Sequence, residues 1–176
     1  MAGTFKSAVV NSYRALQVPA DFHTKFTGER IHVAAVCYRL KDDDVEFLLV
    51  RTRSGRWTFP KGGVDDDATH AEAAAREAYE EAGVKGRIDH EPFHWYFHSK
   101  RARFHPRHPV VAVQAHLCEV ERVVAPKESY RAPTWFKAEK ARRRLRERRS
   151  RELAQEVIEV IDRAVLLARA RARRVA

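Results

Sequence analysis

Hydrophobic and polar positions divide this chain into short strand-like runs, one alanine-rich helix and two closing helices. IHVAAVCYRL (31–40) is apolar at consecutive positions, the pattern of a strand buried on both faces and therefore central in its sheet. KDDD makes a turn, VEFLLVR (45–51) returns as a second strand, and SGRWTFP is a short third strand running into the glycine pair Gly62-Gly63. After Gly83, VKGRID predicts a short strand and FHWYFH (93–98) an aromatic one. PVVAVQAHLCEV (109–120) is the longest strand signal, with Val111, Val113, Ala115 and Leu117 alternating with Gln114 and His116. Two helices close the chain, one over Lys137 to Arg149 and one from Arg151. The second carries Leu153, Val157, Val160, Ile161, Ala164 and Ala168 at helical spacing and should dock on the sheet.

Residues 1–28 are weakly patterned, with Phe5, Tyr13, Leu16, Phe22 and Phe26 as scattered anchors and a short helix expected over Ser7 to Leu16, stopped near Pro19. They read as an N-terminal extension packing on a domain that occupies 29–176 and includes the basic C-terminal helices. No internal repeat or linker divides it. This order of elements predicts an α/β protein with a mixed sheet flanked by helices.

The candidate chemistry lies in PKGGVDDDATHAEAAAREAYEEAGV (60–84). Thr69 followed by Glu72 is a capping-box signature, and Gly83 suits a left-handed residue just past the helix end. Glu77, Glu80 and Glu81 fall at i, i+3 and i+4, so their carboxylates crowd one face. Like charges this close repel unless a cation sits among them, and hard divalent ions prefer oxygen ligands. A solvated acidic face is the bland alternative; the glycine turn before the helix, Arg76 beside Glu77 and the tight spacing favour a metal site.

The same stretch resembles the Nudix box, whose pattern is Gly, five residues, Glu, seven residues, Arg-Glu, apolar, any, Glu-Glu, any, Gly, apolar. Gly62, Arg76, Glu77, Ala78, Glu80, Glu81, Gly83 and Val84 match in register, and Ala68 stands where the pattern has its first Glu. The run Asp65, Asp66 and Asp67 lies just before it and is a candidate to compensate. The resemblance implies an α/β/α sandwich with the box helix on the sheet and an additional C-terminal helix. It also implies Mg²⁺ or Mn²⁺ as cofactor, with Glu80 and Glu81 as ligands, Glu77 as third ligand or as the base that deprotonates water, and the Gly62 carbonyl completing the set. Arg76 is expected to hold the box glutamates by ion pairing.

Arg51 and Arg53 share a strand face, and Arg56 and Lys61 flank the short WTF strand, so four cations near the carboxylates form a candidate phosphate cradle. Taken alone, Arg56 reads as a surface cation, whereas Lys61, directly before Gly62, should lie at the mouth of the site. Lys100, Arg101, Arg103 and Arg107 add a basic loop of the kind that carries specificity. Among His90, His94, His98, His105 and His108, a zinc site is not supported, and contact with phosphate or a base is the expectation. Trp95, Tyr96 and Phe97 read as core. Beyond the box, Gly55, Arg56, Trp57, Pro60, Lys61 and Gly62, with Trp135 and Phe136 later, resemble the diphosphoinositol polyphosphate and diadenosine polyphosphate hydrolase branch, although Pro133-Thr134 replaces its usual Arg-Glu.

Composition narrows the picture further. The chain has 176 residues, 44% of them hydrophobic, which fits one globular domain. Cys37 and Cys118 fall in strand-like runs and read as small core residues. The start has no continuous apolar segment of signal type and no run is long enough to cross a bilayer, so a cytoplasmic protein without a membrane partner is expected. The net charge of +10 sits largely in KAEKARRRLRERRSR (137–151) and the terminal RARARR. That segment reads either as a solvated, weakly packed helix that aids solubility and steering, or as a nucleic-acid surface, and the first is adopted. The expected activity is a metal-dependent pyrophosphohydrolase acting on a polyphosphorylated metabolite of diadenosine or diphosphoinositol type. The alternatives are a nucleotide-pool or RNA-cap hydrolase, and a catalytically weak ligand- or RNA-binding regulator.

Overall fold

A computed structural model of the chain describes residues 31–99 and 110–175. The expected N-terminal extension, its helix over Ser7–Leu16 and the basic loop from Lys100 to Arg107 lie outside the described residues. β1 (Ile31–Lys41) and β2 (Asp44–Arg51) form a hairpin whose two turn residues, Asp42 and Asp43, have φ of 49° and 63°. Aspartate tolerates this left-handed region, and two such residues in succession match the twist of the flanking strands. β3 (Trp57–Thr58) and β4 (Lys61–Gly63) follow, then α1 (His70–Ala82). The chain continues through β5 (Val84–Ile88), β6 (His94–Ser99), β7 (Val110–Val123), β8 (Thr134–Lys137), α2 (Ala138–Arg146) and α3 (Arg151–Val175).

The eight strands make one mixed sheet with β1 and β7 parallel at its centre. Each central strand is long enough to serve two partners: β1 pairs β4 near its start and β2 near its end, and β7 likewise pairs β6 and then β5. β2 carries β3 and β8 on its outer side. The apolar run of β1 is explained by this position. Val33, Ala35 and Cys37 pack under α1, with Ala74, Ala78 and Ala82; Ala34, Val36 and Tyr38 pack on the other face, with Val157, Ile161 and Ala164 of α3. Helices therefore cover both faces, as expected of an α/β/α sandwich. Cys37 and Cys118 are directly opposite in the β1–β7 pair and both are buried in the α1-side core.

Three features go beyond the sequence pattern. The glycine turn before α1 is itself a strand, because Lys61–Gly63 pairs with His32–Ala34 and so brings the turn to the centre of the sheet. The polar positions of β7 are not solvated. Gln114 accepts from His70 Nδ1 at 2.5 Å and His116 Nδ1 donates to the Asp89 carbonyl at 3.0 Å, so both are buried with a partner. The basic helix is also better packed than its composition suggests, since Ala141 and Leu145 are 0% exposed and lie in the core with α3. Among the described residues no helix is long and apolar enough to cross a membrane.

Candidate active site

Local sequence places α1 against β4. Thr69 Oγ1 accepts from the Glu72 N–H while Glu72 Oε2 accepts from the Thr69 N–H at 2.8 Å, closing the capping box at one end. Gly83, φ 67°, closes the other, and its N–H returns to the carbonyls of Ala78 and Tyr79. Alanines fill the sheet-facing row, so the helix approaches closely and its last carboxylates meet the β4 backbone. Glu81 is 3% exposed, and its Oε2 accepts from the Lys61 N–H at 3.2 Å. Glu77 lies on Gly62 itself: a Cβ there would sit 2.1 Å from Glu77 Oε1. Glu80 points outward to Lys127 Nζ at 2.9 Å.

The electrostatics follow from this burial. Desolvation raises the Glu81 carboxyl to about 7, against the pull of Arg131 and of the Lys61 amide and side chain. Glu77 is raised by burial and by Glu80 beside it. The Lys61 ammonium is lowered to about 8 by burial, with Glu81 opposing and Arg56, Arg131 and Arg149 adding to the fall. The cluster presents hard oxygen donors of the kind Mg²⁺ or Mn²⁺ takes, although Arg131 and Lys127 already hold part of its charge. Among the described residues no three His, Cys, Asp or Glu side chains converge as a ready-made metal-binding group. Glu80 and Glu81 each turn instead to a cation of the segment between β7 and β8.

That segment carries the residues that sequence reasoning missed. Glu128 N–H donates to the Glu80 carbonyl at 3.1 Å and docks the segment on the end of α1. Arg131, in a single 3₁₀ turn (Ser129–Arg131), ion-pairs with Glu81 through Nη2 and with Glu128 through Nε at 2.6 Å. Tyr130 donates to Glu128 at 2.6 Å. In sequence this is an ordinary charged loop between Pro126 and Pro133, and nothing local marks Arg131 as a partner of the helix.

The four predicted cations fall into two groups. Arg51 lies over the Trp57 ring at 4.7 Å and Arg53 over the Tyr130 ring at 4.9 Å; both are exposed. Arg56, read from sequence as a surface cation, is 7% exposed, and burial lowers its pKa. With Lys61 it lies on the inner side of the cradle. Arg76 forms its ion pair with Asp65 at 2.9 Å, which ties α1 to the turn after β4, and its charge also pulls the Glu77 pKa down. Ala68 lies in that turn, its N–H donating to the Asp65 carbonyl at 3.1 Å, immediately before the Thr69 cap.

Trp95, Tyr96 and Phe97 are core residues, as read. Of the histidines, His90 sits at the surface beside Glu91, whereas His94 is 8% exposed under α3, where burial and Arg163 lower its pKa to about 4. Burial, with Lys61, Arg56 and Arg149 around it, also keeps His98 neutral. Arg149 is the second cation missed. Its guanidinium is enclosed, lowered to about 10 by burial and by Arg56, and donates to the Trp57 carbonyl at 2.7 Å.

The NUDIX domain family matches residues 30–157. The chain is 33% identical to "Nudix hydrolase 18, mitochondrial" of Arabidopsis thaliana over 124 residues, which cover 65% of this chain and 68% of the relative. It is 40% identical to "Diphosphoinositol polyphosphate phosphohydrolase 2" of Rattus norvegicus over 62 residues, 35% of each protein. Several curated relatives are matched over less than half of their length. Among solved structures, the C. elegans Ap4A hydrolase binary complex superposes with a TM-score of 0.61 at 21% identity, covering 80% of this chain and 98% of that one, a likeness of fold.

Proposed function

The chain belongs to the NUDIX family, and from that premise we propose that it is a Mg²⁺- or Mn²⁺-dependent pyrophosphohydrolase. Its substrate would be a polyphosphorylated metabolite of the diadenosine polyphosphate or diphosphoinositol polyphosphate type. The observation that carries this reading is Glu81, a carboxylate buried against the Lys61 amide with Glu77 and Gly62 beside it and a ring of cations around them.

Glu77, Glu80, Glu81 and the Gly62 carbonyl are the groups that would hold the ion. When bound, a divalent ion polarises a phosphoryl oxygen and acidifies a coordinated water. Glu77, pressed on Gly62 and raised in pKa, either completes the donor set or takes the proton of the attacking water. Arg51 and Arg53 on the exposed rim, with Arg56 and Lys61 inside, neutralise the phosphate chain, the inner pair more strongly because they are less screened. Arg76 holds Asp65 and so fixes the turn that presents Gly62. Relatives named for diphosphoinositol polyphosphates and for Ap4A support the substrate class.

The test is hydrolysis of diadenosine tetraphosphate and of a diphosphoinositol polyphosphate by purified protein with Mg²⁺ or Mn²⁺, with products separated by anion-exchange chromatography. Turnover of at least one, lost on chelation, is expected. Failure with both substrates and both metals would sink the reading.

A further inference from the structure

Two adjacent arginines at the break between α2 and α3 reach back to the hairpin that carries the substrate cations. α2 ends at Arg146, and the next residues form turns in which Glu147 N–H donates to the Arg144 carbonyl and Arg149 N–H to the Arg146 carbonyl, each at 3.3 Å. Arg148 has φ 59°, a left-handed backbone that a residue with a Cβ adopts only when its surroundings demand it. In this conformation the two side chains are sent to one place. Arg148 Nη1 donates to the Ser54 carbonyl, and Arg149 Nη2 donates to the Trp57 carbonyl at 2.7 Å. Arg149 Nη1 also donates to the Leu145 carbonyl, satisfying a backbone group at the end of α2.

The two accepting carbonyls bracket Gly55 and Arg56. This segment is a tight turn of its own: Gly55 N–H donates to the Thr52 carbonyl at 2.8 Å, Arg56 N–H to Thr52 Oγ1 at 3.1 Å, and Thr52 N–H to the Arg56 carbonyl at 2.9 Å. Gly55, φ 78°, is closely backed by the clamp, since a Cβ there would lie 3.3 Å from Arg148 Nη1. On either side of the turn, Arg51 is directed over Trp57 and Arg53 over Tyr130, next to the Arg131 that holds Glu81. The turn thus sets the direction of Arg51, Arg53 and Arg56 together, and the helix break grips it from behind.

We propose that Arg148 and Arg149 are positioning residues that clamp the Thr52–Trp57 turn in the shape needed to present its arginines to a substrate's phosphates. The proposal rests on the reading of Arg51, Arg53 and Arg56 as substrate cations. It assigns the helix-break end of the basic C-terminal segment a role in substrate affinity, in place of solubility or steering. A charge-assisted hydrogen bond to a backbone carbonyl is directional, so neither bond depends on the net charge of the helix.

Arg148→Gln is the primary variant, because Arg148 is exposed and its loss leaves the core intact; Arg148→Lys is the conservative partner and Arg149→Lys the second site. Amide exchange of Gly55 and Arg56 should quicken roughly tenfold in Arg148→Gln, with β1 amides unchanged. With diadenosine tetraphosphate and Mg²⁺, KM should rise roughly five- to tenfold with kcat within about twofold, and Arg148→Lys should recover part of the loss. Equal behaviour at low and high salt separates this from steering, whose effect salt would erase. Unchanged exchange overturns the clamp, and quickened exchange with unchanged KM overturns its role in binding. If the wild-type protein hydrolyses no probe, the pyrophosphohydrolase reading fails on its own account and the clamp stands or falls on the exchange result.

Discussion

Arg131 and Glu81, fifty positions apart in the chain, form an ion pair in which a guanidinium closes on a carboxylate that is 3% exposed. The same guanidinium holds Glu128 through Nε, and four residues earlier in the segment Lys127 holds Glu80. The short stretch between β7 and β8 therefore neutralises two of the three clustered carboxylates, Glu77, Glu80 and Glu81, of α1. A divalent ion held by Glu80 and Glu81 would compete with these cations for the same oxygens.

Arg131→Met should accordingly destabilise the metal-free protein. Removing one partner of a largely buried pair leaves an uncompensated charge, at a cost of about 3 kcal/mol. Because the vacated carboxylate favours a replacement cation, millimolar Mg²⁺ should raise the melting temperature of the variant more than that of the wild type. Thermal melts with MgCl₂ and with EDTA measure both effects. Equal Mg²⁺ shifts in the two proteins would show that Arg131 and the ion do not share Glu81.

Glu80→Gln separates chemistry from folding. Glu80 faces outward to Lys127, so the variant loses only a partly exposed ion pair, worth at most about 1 kcal/mol. Loss of a ligand charge should lower kcat by roughly a hundredfold or more. A near wild-type rate on any confirmed substrate would remove Glu80 from the donor set.

Gly62→Ala tests the close approach of α1 and β4. The added Cβ would fall 2.1 Å from Glu77 Oε1, so Glu77 must leave its place. The strand pairing of β4 with β1 does not depend on that side chain, and the fold should survive with a loss of about 1–3 kcal/mol. Mn²⁺ affinity, read by electron paramagnetic resonance, should weaken together with turnover. Weakened turnover at unchanged Mn²⁺ affinity would assign Glu77 to proton transfer instead of ion binding.

How much of this could be read from sequence depended on the range of the interaction. The caps of α1 are set within a few residues, by Thr69 with Glu72 and by Gly83, and they were legible. The centrality of β1 was legible because two-sided burial writes itself into consecutive apolar positions. Partners distant in the chain left no such trace. Arg131 finds Glu81, and Arg149 finds Trp57 across 92 positions, only through the tertiary fold. Composition also misled where arginine was concerned. The 137–151 stretch reads as a solvated helix, yet Ala141 and Leu145 are core residues and Arg149 spends its charge on backbone carbonyls. β8 is too short, at four residues, to show a period, and it exists because β2 offers it an edge.

His94 links pH to stability. It is buried beneath α3, its Nδ1 lacks a hydrogen-bond partner, and the charged groups facing it are Arg163, which opposes protonation, and Glu159, which favours it. Burial, the largest influence, lowers its pKa from 6.5 to about 4. The unfolded chain then binds a proton as pH falls below the unfolded value, while the folded chain does not until about 4. The His94 contribution to stability is full above pH 6.5 and declines between there and about 4. A shift of this size corresponds to roughly 3 kcal/mol across the window. His116, also lowered by burial, adds to the slope in the same direction. His94→Phe keeps a planar ring and removes the titration, so urea midpoints measured from pH 7 to pH 4.5 should fall less steeply in the variant. If the two slopes coincide, His94 is protonated as easily in the folded chain as in the unfolded one, and its enclosure under α3 is looser than the packing implies.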